Sequence, residues 1–422
     1  MRIGLMVGGF PLLSETFVID HITGLLRRGH DVQIVADRPA GAGPVHADVS
    51  RFDLISRTSY RLSRSQQLSS QLGDGVPSAV ALLRRHPKAI ASLLNTSRDA
   101  EVRRRRAIWR DLLAISRVGD VDLYHCHFGP TSAGLVEILD VVGDNTPVVS
   151  TFHGYDVSQY TASHGPNCYA RLFERGDLFL PVSSFFRERL IGLGAPPERT
   201  FVHHMGVDAS RFAMRSERNA VAGPLRILTI GRMVEKKGIE YALRAVSAAL
   251  HEGVSLIYTI IGDGPYRSEL EMIAAQLDIA DAVRFVGRVD RDGVIRHLRE
   301  NDVSLAPSVT ARDGDMEGIP VAIMEAMANG LPVVSSRHSG IPEIVIHGET
   351  GLLADERDYV TLGDHLVALD GNPTERERLG ENGRRLVEAE FELEQLNDRV
   401  VAHYAEVLSR RVGSGPQRNP EQ

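Results

Sequence analysis

Residues 315–332 read Asp315-Met316-Glu317-Gly318-Ile319-Pro320-Val321-Ala322-Ile323-Met324-Glu325-Ala326-Met327-Ala328-Asn329-Gly330-Leu331-Pro332. Pro320 suits the first turn of a helix, where its missing N–H costs nothing, so the spacing predicts a helix start with the free amides of Gly318 and Ile319 pointing outward. Such an end attracts a diphosphate. Glu317 would stand just before the helix and Glu325 about two turns into it, roughly 10–12 Å away at about 1.5 Å rise per residue. That span suits two hydroxyl-bearing groups flanking a diphosphate, a sugar at Glu317 and a ribose at Glu325, much as an acidic residue grips ribose in dinucleotide folds. Two glutamates on an arbitrary amphipathic helix would only face solvent. Here Gly318, Pro320, Gly330 and Pro332 punctuate both ends, and Leu331-Pro332-Val333-Val334-Ser335-Ser336 reads as the next buried strand.

Outward from this stretch, short apolar runs alternate with helical segments, the pattern of parallel sheets covered by helices on both faces. Strands are predicted at residues 2–7, 32–37, 121–128, 147–152, 178–182 and 200–204, and again at 225–230, 255–261, 283–286, 303–307, 332–335 and 351–354. A chain of 422 residues exceeds one comfortable core. The expected fold is α/β, with two doubly wound, Rossmann-like domains facing each other across a cleft. The boundaries expected are an N-terminal domain over residues 1–207, a polar linker at 208–224, a C-terminal domain at 225–391, a last helix at 392–411 and a disordered tail at 412–422.

Hydrophobic content of 43% and charged content of 24% are ordinary for a soluble globular protein. The only cysteines, Cys126 and Cys168, argue against a disulfide framework and for a reducing cytosol. The first apolar run breaks at Gly8 and Gly9, unlike a signal peptide, and no run approaches the roughly 18 apolar residues of a membrane span. The net charge of -7 conceals an asymmetry: residues 51–117 hold fourteen Lys/Arg against five Asp/Glu, a balance of +9 that leaves -16 for the rest. Arg103-Arg104-Arg105-Arg106, interleaved with Leu93, Leu94, Ile108 and Trp109, reads either as a basic helical insertion meeting an anionic membrane or acceptor, or as a solvated helix face. The expected location is cytoplasmic, with peripheral contact at the inner face of the plasma membrane. No nucleic-acid partner is expected.

Arg232 and Lys237 follow the strand at 225–230, where a strand meets its helix, and can bind a diphosphate whose charge grows as a bond to it breaks. Gly8 and Gly9 occupy the corresponding first turn of the N-terminal half and let the backbone approach the phosphates. Ser14, Glu15 and Thr16 share that turn, although Glu15 reads equally as a helix-start acid complementing the macrodipole. The dinucleotide fingerprint Gly-x-Gly-x-x-Gly is absent there. His153 ends a strand before Gly154, which permits close approach of backbone to a ligand. Tyr155 and Asp156 share its loop and are placed on the acceptor side together with Glu15 and Thr16. Asp313-Gly314-Asp315 resembles a metal-binding Asp-x-Asp pattern, but Arg232, Lys237 and the amides of Gly318, Ile319 and Pro320's helix already supply the positive charge. No metal and no cofactor are expected.

Four motifs, Phe10-Pro11-Leu12-Leu13-Ser14-Glu15-Thr16-Phe17, Phe152-His153-Gly154-Tyr155-Asp156, Gly231-Arg232-Met233-Val234-Glu235-Lys236-Lys237-Gly238 and Gly314-Asp315-Met316-Glu317-Gly318-Ile319-Pro320, stand in the order in which they occur in a known family. The sequence resembles the retaining glycosyltransferases of family four, which have the GT-B architecture and carry a Glu-x7-Glu motif. The narrower likeness is to exopolysaccharide enzymes of the colanic-acid type, and it runs over residues 2–394. The resemblance implies a nucleotide-sugar donor (a UDP- or GDP-sugar), transfer with retention to a saccharide, lipid-linked or small-molecule acceptor, and His153 beside the donor sugar and reacting centre. It also implies that Val286, Gly287 and Arg288 border the base, and that the last helix crosses back to the N-terminal domain. One departure is Met205 in His204-Met205-Gly206, where many relatives carry Asn. Soluble natural-product or small-thiol transfer, a nucleotide-sugar epimerase and a non-catalytic sugar-nucleotide-binding protein are the competing readings.

Overall fold

The computed structural model describes residues 1–12, 15–40, 46–61, 111–112, 114–213 and 223–413. Most of the basic segment at 51–117, much of the linker and the tail lie outside the described residues. Two six-stranded parallel sheets carry the chain. In the first, the strands are β1 (Arg2–Phe10), β2 (Asp31–Pro39), β3 (Thr58–Tyr60), β4 (Leu123–His127), β5 (Val148–Phe152) and β6 (Leu178–Pro181), in the order β3-β2-β1-β4-β5-β6. In the second they are β7 (Leu225–Ile230), β8 (Leu256–Ile261), β9 (Val283–Gly287), β10 (Val303–Ala306), β11 (Val333–Ser336) and β12 (Gly351–Ala354), in the order β12-β11-β10-β7-β8-β9. Both are the same doubly wound plan, with the strand order reversing between β1 and β4 and between β7 and β10, where such folds hold ligands.

Both faces of each sheet are buried, which is why the strands read as unbroken apolar runs. In the first sheet Ile3, Leu5, Val7, Leu123, Val149 and Leu178 point to one core, and Met6, Tyr124, Cys126, Val148 and Phe179 to the other. In the second sheet the same alternation puts Ile227, Tyr258, Ile260 and Leu305 on one face and Leu228, Ile261, Val333 and Leu353 on the other. Ile323, Met324 and Met327 of the Val321–Ala328 helix fill the latter core, which leaves Glu325 on a different side of that helix.

The first sheet differs from the sequence expectations at three places. Residues 200–204 are not a strand; they lie beside β6 through two backbone bonds, Phe201 N–H to Phe179 O and His203 N–H to Pro181 O. The sixth strand is β3, three residues without apolar alternation at the sheet edge, which no periodicity announces. β1 also runs on to Phe10 because β2 pairs with it as far as Pro39, so Gly8 and Gly9 are strand residues and not a turn.

The closing helix (Leu393–Gly413) returns to the first sheet and crosses the first helix (Thr16–Arg27). The chain enters it through a parallel bridge between Val207 and Glu392. Val400, Tyr404 and Val407 join the core of Ile19, Ile22 and Ile3, a burial contributing roughly 1.5–3 kcal/mol per side chain. Arg28 reaches Asp398 and Glu394, both at 2.7 Å, but exposed pairs of this kind add less than about 1 kcal/mol. The crossing depends instead on Gly24, where a Cβ would run into the buried Asn397 carboxamide. Gly24→Leu should therefore cost about 2–3 kcal/mol and lower the thermal midpoint. Gly134→Ala, in a helix with open space around it, should instead raise stability by about 0.5–1 kcal/mol. Thermal denaturation that ranks the two the other way would contradict this account of the crossing.

Candidate active site

The loop after β7 is shaped by glycines that let backbones meet. Gly238 has φ 63° and a Cβ there would run into the Pro307 carbonyl; Gly262 has φ 129° and presses on the Gly231 carbonyl. Gly264 packs in the same way on Met233, so Gly262 and Gly264 hold the loop flat across the strand ends. The Lys237 side chain then lies over Gly231, and its Nζ stands 2.9 Å from Oε2 of Glu317. Lys236 Nζ lies 3.4 Å from Oε1 of Glu317 and 3.0 Å from Oδ2 of Asp315. Burial opposes the Glu317 charge, yet Lys237 and Lys236 outweigh it and hold the carboxyl at about 2. Lys236, which as a sequence feature reads as a surface cation, is thus part of the pair.

The Glu317 backbone is held as firmly. Its N–H donates to Nε2 of His338 at 3.0 Å, which leaves the His338 proton on Nδ1, donating to Glu356 at 2.6 Å. The Ser339 hydroxyl donates to the Glu317 carbonyl. His338, Ser339 and Glu356 escaped the sequence reading; the signal available was the polar run Ser335-Ser336-Arg337-His338-Ser339 leaving a buried strand. The helix that follows begins at Val321, with Pro320 extended at its N-cap, so Gly318 and Ile319 precede the first turn by one residue more than expected. The pyrrolidine sets the entry angle and the helix takes up immediately after it.

The opposite wall comes from the first domain. A Cβ on Gly154 would lie 2.8 Å from the Met316 carbonyl, and one on Gly318 would lie 2.6 Å from the His153 carbonyl, so the two walls touch backbone to backbone beside Glu317. Met316 N–H donates to Ser158 Oγ at 3.2 Å, and Gln159 Nε2 donates to Asp313 at 2.6 Å. Asp313 and Asp315 therefore serve the loop, one bonded to Gln159 and one to Lys236. Farther along, Glu343 accepts from Ser184 N–H at 2.8 Å and pairs with His204 at 3.0 Å.

The His153 ring is set between Phe17 and Phe128, each centroid 4.6 Å away, and burial lowers its pKa to about 3. Phe128 turns its ring there from an unusual backbone position, φ 74° and ψ 132°. Nε2 of His153 meets Nδ1 of His127 at 3.0 Å. Asp156 departs from its expected place on the acceptor side. Its carboxylate is buried and accepts three backbone N–H bonds, from Gly129, His153 and Gly154, each at 2.9 Å. It shapes the loop and has no free face for an acceptor. Tyr155 is exposed beside it.

Arg232 is exposed at the start of its loop and lies within electrostatic reach of Glu15, the N-cap of the first helix, which makes no side-chain capping bond. Burial raises the Glu15 carboxyl to about 7 against the pull of Arg232 and Arg38. Thr16 opens the same helix. Burial likewise raises Glu325 to about 7, with Arg291 opposing and Asp20 of the first helix adding to the rise. Val286, Gly287 and Arg288 lie at the end of the edge strand β9, where Gly262 N–H donates to the Gly287 carbonyl. The structure thus brings Glu317, Lys237, Gly318 and His153 together and sets Arg232 within electrostatic reach of Glu15. Among the described residues one cluster has metal-ligand spacing, His21, His125 and His127, but its ring nitrogens are engaged in hydrogen bonds.

Comparison with known proteins accounts for both halves of this architecture. Residues 14–211 match the model of Glycosyltransferase Family 4, and residues 210–386 match that of Glycosyl transferases group 1. The amylovoran biosynthesis glycosyltransferase AmsK of Erwinia amylovora is 34% identical over 93% of this chain and 96% of its own. The colanic acid biosynthesis glycosyltransferase candidate WcaL of Salmonella typhimurium is 36% identical over 87% and 90%. The crystal structure of Anabaena Alr3699/HepE in complex with UDP and glucose superposes over 96% of this chain and all of that one, with a TM-score of 0.68 at 16% identity, a likeness of fold. With relatives above 30% identity spanning nearly its whole length and two facing doubly wound domains, the chain belongs to glycosyltransferase family 4 and is a glycosyltransferase of GT-B architecture.

Proposed function

We propose that the enzyme transfers a sugar, with retention of anomeric configuration, from a nucleoside diphosphate donor to a saccharide acceptor in exopolysaccharide assembly. The observation that carries this reading is the ionised Glu317 carboxylate, paired with Lys237 and carried on a backbone that touches the His153-Gly154 loop of the first domain. A carboxylate held charged accepts from sugar hydroxyls, and a cation already beside it can share its remaining donors with a diphosphate oxygen. Lys237, Arg232 and the amides at Gly318 and Ile319 would stabilise the leaving charge. In this reading Gly8, Gly9 and Pro320 border the diphosphate, His153 orients the sugar, Glu325 accepts from the ribose, and Val286, Gly287 and Arg288 border the base. The relatives AmsK and WcaL, named for amylovoran and colanic acid biosynthesis, support the exopolysaccharide assignment. The +9 segment at 51–117 would bring the enzyme to an anionic membrane carrying a lipid-linked acceptor.

Nucleoside diphosphate release, measured over a panel of UDP- and GDP-sugars with and without anionic vesicles carrying a lipid-linked saccharide, tests the assignment. Acceptor-dependent release that persists in EDTA and rises with vesicles is expected. Activity lost in EDTA and restored by Mg²⁺ would return Asp313 and Asp315 to consideration as metal ligands. A rate indifferent to vesicles favours a soluble acceptor, and conversion without any acceptor favours an epimerase.

Glu317→Gln should lower kcat at least tenfold while leaving nucleoside diphosphate affinity nearly intact, since a hydrogen bond to a charged group is worth about 1.5–3 kcal/mol. Glu325→Gln should mainly weaken nucleotide binding. It also carries a signature in the unliganded protein. With the folded carboxyl raised to about 7, ionisation removes stability as pH climbs from the ordinary carboxylate range toward that value. The amide has no such loss, so Glu325→Gln should melt higher than the parent at pH 8 and not at pH 4. Equal, small kinetic losses in the two variants would refute the division of roles.

Retention is what the resemblance to the family implies, and of the two retaining routes the site favours the one without a covalent intermediate. Double displacement needs a carboxylate poised at the anomeric carbon, and Glu317 is already committed to two lysines. A front-face departure, in which a diphosphate oxygen takes the acceptor proton, remains. Proton NMR of the first product from an α-linked donor should show an α linkage. A β linkage would mean inversion, with Glu15 the acid to test as general base.

A further inference from the structure

A chain of hydrogen bonds leads from the cleft into the first domain. Nε2 of His153 lies 3.0 Å from Nδ1 of His127, and Nε2 of His127 lies 3.0 Å from Nδ1 of His21. Nε2 of His21 lies 3.1 Å from the Tyr404 hydroxyl, which lies 2.5 Å from Nδ1 of His125. The chain ends where Nε2 of His125 meets Thr151 Oγ1 at 2.8 Å. Its inner members are buried and come from β4, β5, the first helix and the closing helix.

Burial holds His21, His125 and His127 well below the usual imidazole range and His153 at about 3, so each ring carries one proton at neutral pH. A neutral imidazole donates at one nitrogen and accepts at the other, so one proton position dictates all the rest. Any break in the order sets two N–H groups or two lone pairs against each other where the rings are buried. Two orders satisfy the chain, and Thr151 distinguishes them. Among the described residues its hydroxyl has no acceptor except Nε2 of His125, so it must donate there to use its proton. From that start, His125 Nδ1–H donates to Tyr404, the Tyr404 hydroxyl to His21 Nε2, His21 Nδ1–H to His127 Nε2, and His127 Nδ1–H to His153 Nε2. The last ring proton then sits on Nδ1 of His153. That atom has no hydrogen-bond partner among the described residues, which leaves it for a ligand.

We propose that Thr151, His125, Tyr404, His21 and His127 form a tautomer lock that keeps the proton of His153 on Nδ1, as a fixed hydrogen-bond donor to the donor sugar. The final clause rests on the reading of His153 given above. The five residues are positioning residues: they act on the substrate only through His153. The arrangement suits an enzyme that must present one donor while a positive sugar-like state forms, because a ring locked with a single proton aims a hydrogen bond without adding a charge.

The test uses full-length protein labelled with ¹⁵N-histidine and long-range ¹H–¹⁵N correlation, with the His153 signals assigned by their absence in His153→Gln. The wild type should show His153 in one neutral form protonated at Nδ1. Tyr404→Phe and, independently, Thr151→Val should give a mixture of tautomers and lower kcat/KM about tenfold, equivalent to one lost hydrogen bond in the transition state. Thr151→Ser should restore the single form. An Nε2-protonated His153 in the wild type, or an unchanged single form in both variants, overturns the lock. So does a stoichiometric metal ion in the purified protein that is lost on His125→Gln. His153→Ala with full activity would defeat the placement beside the sugar while leaving the tautomer result standing; an inactive His153→Ala beside unaltered Tyr404→Phe and Thr151→Val spectra defeats the lock alone.

Discussion

The Glu317 carboxylate is ionised in a place where burial alone would neutralise it, and the rest of the site is arranged around that fact. Lys236 and Lys237 must both reach it, so the loop after β7 has to cross the ends of the neighbouring strands. The crossing is possible because Gly238, Gly262 and Gly264 let backbone atoms come closer than any side chain would allow. On its other side the Glu317 peptide is fixed by His338 and Ser339 from the loop after β11, and His338 is itself fixed by Glu356. Loops at the carboxyl ends of four strands of the second sheet, β7, β10, β11 and β12, thus converge on one charge. Removing a lysine would leave a buried anion short of its compensation, and such a loss is far more costly than the pair's net gain.

The first domain adds a second constraint, contact between the walls through glycine. Gly154 and Gly318 put the His153 loop directly on the Met316-Glu317-Gly318 backbone, and Asp156 holds that loop by binding three of its neighbouring amides. The closing helix keeps the sheets in that relation: it leaves the second domain at Glu392, packs on the first helix, and carries Tyr404 into the histidine chain behind the cleft. Histidines 125 and 127 face the same core because residues two apart share a strand face, and at the carboxyl end of β4 that face meets the closing helix. Stability and site geometry therefore draw on the same helix crossing.

Much of this was legible from periodicity and from a few special residues. All six strands of the second sheet stand where apolar runs place them, to within a residue or two, because a parallel strand covered on both faces can be little else. In the first sheet β3 escaped, being three residues long and without alternation, and residues 200–204 read as a strand although they only flank β6. The Glu317-to-Glu325 spacing did announce a helix start, one residue displaced. Asp156 was misplaced because an acidic residue beside a site histidine looks the same in sequence whether it faces a ligand or caps its own loop. The Tyr124-His125-Cys126-His127 alternation was visible, but nothing local says that His21 and Tyr404, from opposite ends of the chain, complete it.

By itself the sequence determined the two-sheet plan, the loops that carry charge and the family, since these depend on local period, on turn chemistry and on motifs in order. Tertiary structure alone decided which charges meet. Lys237 and Glu317 are 80 residues apart, and His21 and Tyr404 are 383 apart. Pairing over such distances depends on how strand ends and helices pack, and packing is a property of the folded core. For the same reason Lys236, an ordinary cation in sequence, became a partner of the buried carboxylate, and Asp156, a candidate for chemistry, became part of the frame that supports it.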